Sequence, residues 1–293
     1  MQAQIRAQSP PAVARAAALW QLLRPGNCAM TAVGVVAGAL VASGPAAASL
    51  WPTVALGAAA GFAFAGAGNA LNDWVDREVD ARAHPGRPLP SGRLSPDAAL
   101  RAQAVLFALS VAAAAAIAWT FTSPLALLLV LPALVLMVAY ELRLKATGLS
   151  GNVAVSLLTG APFVMGGIAV NAPETPVLVL ALLAVLVNLG REVVKDVEDM
   201  QADAGARRTF PMTAGVSAAT ALARAAILAG VALSPLPWLL GTMGPSYLPA
   251  VAAADVVLLW AAFEAKRPSR SSRLAKLGML VGLVAFLVGR MGA

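Results

Sequence analysis

Most of the acid in this sequence lies in two short stretches. Of 14 Asp and Glu residues, nine fall within 73–80 and 192–203. One stretch reads N-D-W-V-D-R-E-V-D (72–80), the other D-V-E-D-M-Q-A-D (196–203), and both contain D-x-x-D-x-x-x-D. On an α-helix, positions i, i+3 and i+7 share a face. Asp73, Asp76 and Asp80 therefore form one carboxylate triplet, and Asp196, Asp199 and Asp203 a second. Like charges on one face repel, and near lipid the cost rises. A hard divalent cation suits such oxygen ligands: Mg2+ takes one or two carboxylates, keeps waters and completes its shell with substrate phosphates. Two facing triplets are thus predicted to hold Mg2+ around one diphosphate. The plainer alternative is a solvated helix end paired with Arg77, Arg82, Arg191 and Lys195. Repetition of the spacing weighs against it.

The segments that follow the acids also match. The first continues R-P-L-P-S-G-R (87–93) and the second R-R-T-F-P (207–211). Arg87 and Arg208 become candidate phosphate ligands, because the guanidinium presents a planar donor fork, while Pro stiffens each loop. A third basic segment, Y-E-L-R-L-K (140–145), places Tyr140 at a span end and Lys145 where it either neutralises a diphosphate or marks membrane topology. Other chemistry is scarce. Cys28 is the only cysteine and His84 the only histidine, which excludes a disulfide framework within the chain and argues against zinc sites. Asp255 stands alone inside an apolar run, a functional candidate by position only.

The elements that must position these groups are membrane helices. Apolar residues make up 59% and charged residues 12% of the 293, against roughly 45–50% and about 25% in soluble domains. Mean hydropathy is +0.78. With about 20 apolar residues needed per span, nine spans are predicted near 28–48, 52–73, 99–119, 124–140, 152–170, 176–194, 212–233, 248–264 and 274–290. If the N-terminus is cytoplasmic, nearly all of the 21 Lys and Arg fall in or beside the inner segments 1–27, 74–98, 141–151, 195–211 and 265–273. The loops near 49–51, 120–123, 171–175 and 234–247 hold none, as the positive-inside rule requires, and Arg290 is the exception. So few charges in so apolar a chain set topology and do not bind nucleic acid. Residues 12–23 are expected to lie as a helix in the interface, with Trp20 at headgroup depth. The two triplets are 123 residues apart, a distance of four spans, which predicts a four-helix internal repeat with the ninth helix extra. Gly57-x-x-x-Gly61 is read as close helix packing. The whole chain, 1–293, is expected to form one transmembrane domain.

N-D-x-x-D-x-x-x-D followed by R-P-x-P-S-G resembles the first signature of the UbiA superfamily of intramembrane prenyltransferases, and K-D-V-E-D-M-Q-A-D resembles its second. L-L-R-P-G-N-C-A-M-T (22–31), G-L-S-G-N-V-A-V-S-L-L-T-G-A-P-F (148–163) and G-R-E-V-V-K-D-V-E-D (190–199) look like the digeranylgeranylglyceryl phosphate synthase branch, although Ala202 stands where the second signature commonly has Gly. The resemblance covers essentially the whole chain. It implies an all-α polytopic membrane protein, a bundle around a central cavity that opens on the cytoplasmic side of the cell membrane. It also implies Mg2+-dependent transfer of a prenyl group, geranylgeranyl on the branch likeness, from its diphosphate to the hydroxyl of a lipid acceptor, geranylgeranylglyceryl phosphate. Asn72, Asp73, Asp76, Asp80, Asp196, Asp199 and Asp203 would then hold the metal on the diphosphate. Arg87, Lys145 and Arg208 would add positive charge, Tyr140 would face the allyl cation, and Arg24 with Asn27 would take the acceptor phosphate. The partners implied are the two substrates and membrane lipid, with neither nucleic acid nor an obligatory protein. An aromatic quinone precursor or chlorophyllide as acceptor stays open. So does a membrane ion or metal transporter, against which the acids cluster at the inner ends and not at the midplane.

Overall fold

Apolar runs bounded by Pro, Gly and Ser fold into helices throughout. The computed structural model describes residues 12–201 and 207–292, so Asp203 lies outside the described residues. In chain order the helices are α1 (Ala12–Leu23), α2 (Pro25–Ser43), α3 (Trp51–Val75), α4 (Arg77–Ala83), α5 (Pro96–Thr120), α6 (Leu125–Leu142), α7 (Leu149–Ala169), α8 (Thr175–Glu198), α9 (Phe210–Ala214), α10 (Val216–Leu233), α11 (Leu236–Leu239), α12 (Tyr247–Phe263) and α13 (Pro268–Met291). Among the described residues the only strand-like pairing is one backbone bridge, Thr147 to Arg208. Local chemistry explains the boundaries. The Ser95 hydroxyl accepts the Ala98 N–H at 3.2 Å, Pro96 follows it and Asp97 sits in the first turn, so α5 starts with a side-chain cap, a preset φ and a favourable charge.

By length and composition, eight apolar segments among the described residues can cross a membrane. The first, Pro25–Val75, is 51 residues long and contains both α2 and α3. These fold back on each other: the Gly57, Gly61 and Gly66 backbones of α3 lie against Val35, Thr31 and Cys28 of α2. The difference between nine expected spans and eight segments lies here. Large apolar side chains face outward, among them Trp119 (87% exposed), Leu128 and Val135. In water so wide an apolar surface would drive association, whereas lipid solvates it. The chain is an integral membrane protein. Helix α1 forms as expected, with Leu22 and Ala18 buried and Trp20 exposed.

Helices α2, α3, α5 and α6 pack each on the next, and α7, α8, α10 and α12 repeat that neighbour order. Helices α2 and α7 join the two series, and α13 packs on α12, α8 and α2. The α2–α7 crossing is the tightest. A Cβ on Gly166 would lie 2.1 Å from the Val35 carbonyl oxygen, and one on Gly38 would lie 2.2 Å from that of Phe163. A Cβ on Gly57 or Gly61 would first meet side-chain atoms, at 3.2 Å or more. The basic segments meet at one end of the bundle: Lys145 reaches Asp76, Arg207 reaches Asp76, and Ser269 donates to Glu198 at 2.6 Å. Arg290 sits at the opposite end, where it donates to the Ala42 carbonyl that closes α2.

Candidate active site

Helices α3 and α8 stop in the same way. At Asp76 (φ −86°, ψ 5°) the N–H donates to the Asn72 carbonyl, and at Asp199 (φ −86°, ψ 0°) to that of Lys195, each at 2.9 Å. The middle aspartate of each triplet is thus the C-cap of its helix. A helix C-terminus carries partial negative charge, so the carboxylates add to a potential already negative. Only positive charge can offset this.

The protein supplies part of it. Asp73, in the last turn of α3 and 3% exposed, is paired with Arg24 and lies 3.7 Å from Arg87. Arg87 also pairs with Asp80 on α4. Asp76 receives Lys145 Nζ on both oxygens at 2.9 Å, Asn72 Nδ2 at 3.2 Å and Arg207 at 3.3 Å. Glu141, 5% exposed, accepts from Asn72 at 2.9 Å and from Lys145 at 2.8 Å. A continuous helix with three acids on one face is therefore not what forms. The helix ends at Asp76, α4 restarts at Arg77, and the acids divide: Asp73 and Asp80 share Arg87, while Asp76 shares Lys145 with Glu141. Among the described residues no three acid, His or Cys side chains converge on one point. The cations between the acids are the reason. Of the partners expected for a plain helix end, Arg77 lies over the Trp74 ring and near Glu78, and Arg191 pairs with Glu192.

In the second cluster Asp196 accepts from Asn152 Nδ2 at 3.0 Å, and Asn152 Oδ1 is buried without a partner. Asp199 is half-buried at the end of α8. Arg207, which follows this cluster in the chain, reaches Asp76 of the first, so the two lie at one mouth. Tyr140 has Glu141, Glu192, Asp196 and Arg207 as its charged neighbours, which places it between the clusters.

Beneath them lies a cavity of about 1060 Å³, above the roughly 300–1,000 Å³ of a small-molecule pocket. Arg24, Asn72, Tyr140, Glu141 and Arg191 line it together with a much larger apolar wall that includes Phe64, Met137 and Phe163. Asp255 also lines it and accepts from the Ser234 hydroxyl at 2.7 Å, leaving Oδ1 buried and without a partner. One end is rich in charged and hydrogen-bonding groups, and the remainder is apolar but for a few groups such as Asp255 and Ser234: a diphosphate head and a hydrocarbon tail match that division.

Two expectations shift. Arg208 is exposed, and its backbone N–H is drawn to the Ala146 carbonyl at 3.3 Å. Its neighbour Arg207 is the one that points to the acids. Arg24 is committed to Asp73, in a left-handed backbone conformation (φ 50°), and Asn27 is exposed at the cavity rim. Glu141, Asn152 and Arg207 join the site without having been singled out. Glu141 had a signal, since a Glu four residues before a Lys at a helix end pairs with it. Asn152 had none, because its role depends on α7 beginning beside α8.

The model of the UbiA prenyltransferase family matches residues 31–286. A digeranylgeranylglyceryl phosphate synthase of Methanopyrus kandleri is 41% identical over 274 residues, covering 91% of this chain and 97% of that protein. A solved structure of digeranylgeranylglyceryl phosphate synthase superposes with a TM-score of 0.84 at 28% identity, covering 95% of this chain and 99% of that one. A UbiA homologue of Archaeoglobus fulgidus, solved bound to DMAPP and Mg2+, superposes with a TM-score of 0.63 at 17% identity, covering 92% and 98%. That last likeness concerns the fold alone.

Proposed function

Because this chain belongs to the UbiA prenyltransferase family, we propose that it transfers a geranylgeranyl group from its diphosphate to the hydroxyl of geranylgeranylglyceryl phosphate, forming an ether. The observation that carries the reading is the pairing of two acid-capped helix ends with one large apolar cavity. The acceptor follows the name of the Methanopyrus kandleri relative.

Asp73, Asp76, Asp80, Asp196, Asp199 and Asp203, with Asn72, would hold Mg2+; hard oxygen donors in excess, and the unsatisfied amide oxygen of Asn152, fit that ion. Bound there, Mg2+ supplies Lewis acidity toward a departing diphosphate. The other roles belong to the chain. Arg87, Lys145 and Arg207 sit among the carboxylates, so an incoming polyanion finds compensating charge already in place. The apolar wall takes the prenyl tail and keeps water from the allylic carbon as its C–O bond to diphosphate breaks. The ring of Tyr140 offers its negative face to the developing cation. The acceptor oxygen then bonds to that carbon, and its proton leaves to a carboxylate or to the released diphosphate. The basic segments around the mouth support a cytoplasmic opening, and residues 1–293 would act as one domain.

The test is an acceptor panel. Purified protein, Mg2+ and geranylgeranyl diphosphate are incubated with geranylgeranylglyceryl phosphate, homogentisate, 4-hydroxybenzoate or chlorophyllide, and products are read by mass. A diether phosphate supports the reading. An aromatic or chlorin product replaces the acceptor, and ion flux in sealed vesicles without any transfer replaces the reading altogether.

A further inference from the structure

Among the described residues three cations line the cavity: Arg24, Arg191 and Lys276. Arg24 is paired with Asp73, and Lys276 is exposed. Arg191 differs from both. Its side chain is 15% exposed, and its Nη1 edge is held by Glu192 and, at 3.5 Å, by Asn188 Oδ1. Asn188 is itself fixed, since its Nδ2 donates to Thr159 at 3.2 Å and lies 3.5 Å from Ser156 Oγ. Arg191 Nε is buried and has no partner among the described residues. A buried donor left unmade costs about 1–3 kcal/mol, more when charged, so such a group signals a missing ligand. The free Nε–Nη2 edge is the planar fork that takes two oxygens of a phosphate.

We infer that Arg191, positioned by Asn188 and Glu192, binds the phosphate of the lipid acceptor, separately from the diphosphate at the aspartates. The inference rests on the acceptor proposed above. Arg87, Lys145 and Arg207 already gather at the first acid cluster, where the donor head is placed. Arg191 lies on the opposite helix, five residues before Asp196, hence roughly 7 Å deeper at a rise of about 1.5 Å per residue. In a glycerol phosphate only two carbons separate the attacking hydroxyl oxygen from the phosphoester oxygen. The second anion site must therefore share a cavity with the first, and Arg191 lines the cavity that Asn72 and Glu141 also line.

The experiment compares two acceptors, geranylgeranylglyceryl phosphate and the phosphate-free geranylgeranylglycerol, in unsubstituted protein, Arg191→Gln and Arg191→Lys. Arg191→Gln/Glu192→Gln is included because it leaves no carboxylate uncompensated if the single variant folds poorly. Expected is a rise of roughly 10–100-fold in KM for the phosphorylated acceptor, the loss of one charged hydrogen-bonded contact. KM for geranylgeranyl diphosphate and turnover of the phosphate-free acceptor should stay within about twofold, with Arg191→Lys intermediate. An equal loss on both acceptors, or a loss carried by KM for the diphosphate, overturns the inference and leaves the proposed reaction standing. No ether product from the unsubstituted protein with either acceptor overturns the reaction and the inference together.

Discussion

Each acidic group at the mouth has a distinct set of neighbours, so single substitutions have separable consequences. Asp76 and Asp199 cap their helices with the same backbone geometry. Replacing either by Ala is expected to lower kcat by about 100- to 1,000-fold, the range for removing one preorganised electrostatic contact. Membrane insertion should be preserved; full activity in both variants would contradict the metal-site reading. Lys145 is different. It is buried between Asp76 and Glu141, and Lys145→Met leaves Glu141 without its cation and Asp76 with Arg207 alone. That variant should lose roughly 3–5 kcal/mol of stability, measured as a fall in detergent melting temperature. Adding Asp76→Asn should recover much of the stability and none of the activity. The residue types and spacing showed where the acids gather, in two D-x-x-D-x-x-x-D runs. What they could not announce is which cation faces which acid. Arg207 and Arg208 are adjacent and alike, and only the bridge of Arg208 to the segment at Thr147 decides that Arg207 faces Asp76.

Among elements, the α2–α7 crossing holds the two series of four helices together, and it depends on bare backbone. Gly166→Ala would push a methyl into the Val35 carbonyl, and Gly38→Ala into that of Phe163. Backbone cannot yield as a side chain can, so each change should cost about 1–3 kcal/mol or more. Gly61→Ala meets side-chain atoms at 3.2 Å and beyond and should cost less. Thermal melts of the three variants in one detergent check the order. Helices themselves were legible, because a 20-residue apolar run leaves no other way to satisfy its backbone in lipid. The one helix interruption that matters was not. D-x-x-D-x-x-x-D reads as an unbroken face, yet α3 stops at Asp76, where the chain bends before α4. The crossing glycines were likewise hidden, since in a chain with 25 glycines spacing alone does not reveal which of them meets a carbonyl.

At the scale of the whole molecule, charge placement and cavity shape divide the labour. The basic segments gather the acids at one end, and the apolar interior below accepts a chain. Tail length should then respond to volume. Ala184, buried on α8 and lining the cavity, is expected on substitution to Phe to shift preference from geranylgeranyl toward geranyl diphosphate, read as the ratio of kcat/KM values. Alternate loops empty of Lys and Arg predict an orientation from the chain alone, whereas cavity volume depends on how far helices stand apart and has no counterpart in residue order. The central claim, that paired aspartate clusters use Mg2+ to release diphosphate, is tested most directly by metal exchange on the purified enzyme. Geranylgeranyl diphosphate and geranylgeranylglyceryl phosphate are supplied, EDTA is added, Mg2+ is then returned, and diether formation is followed by mass. Loss of product with EDTA and its return with Mg2+ are expected. Undiminished turnover in EDTA would contradict the claim.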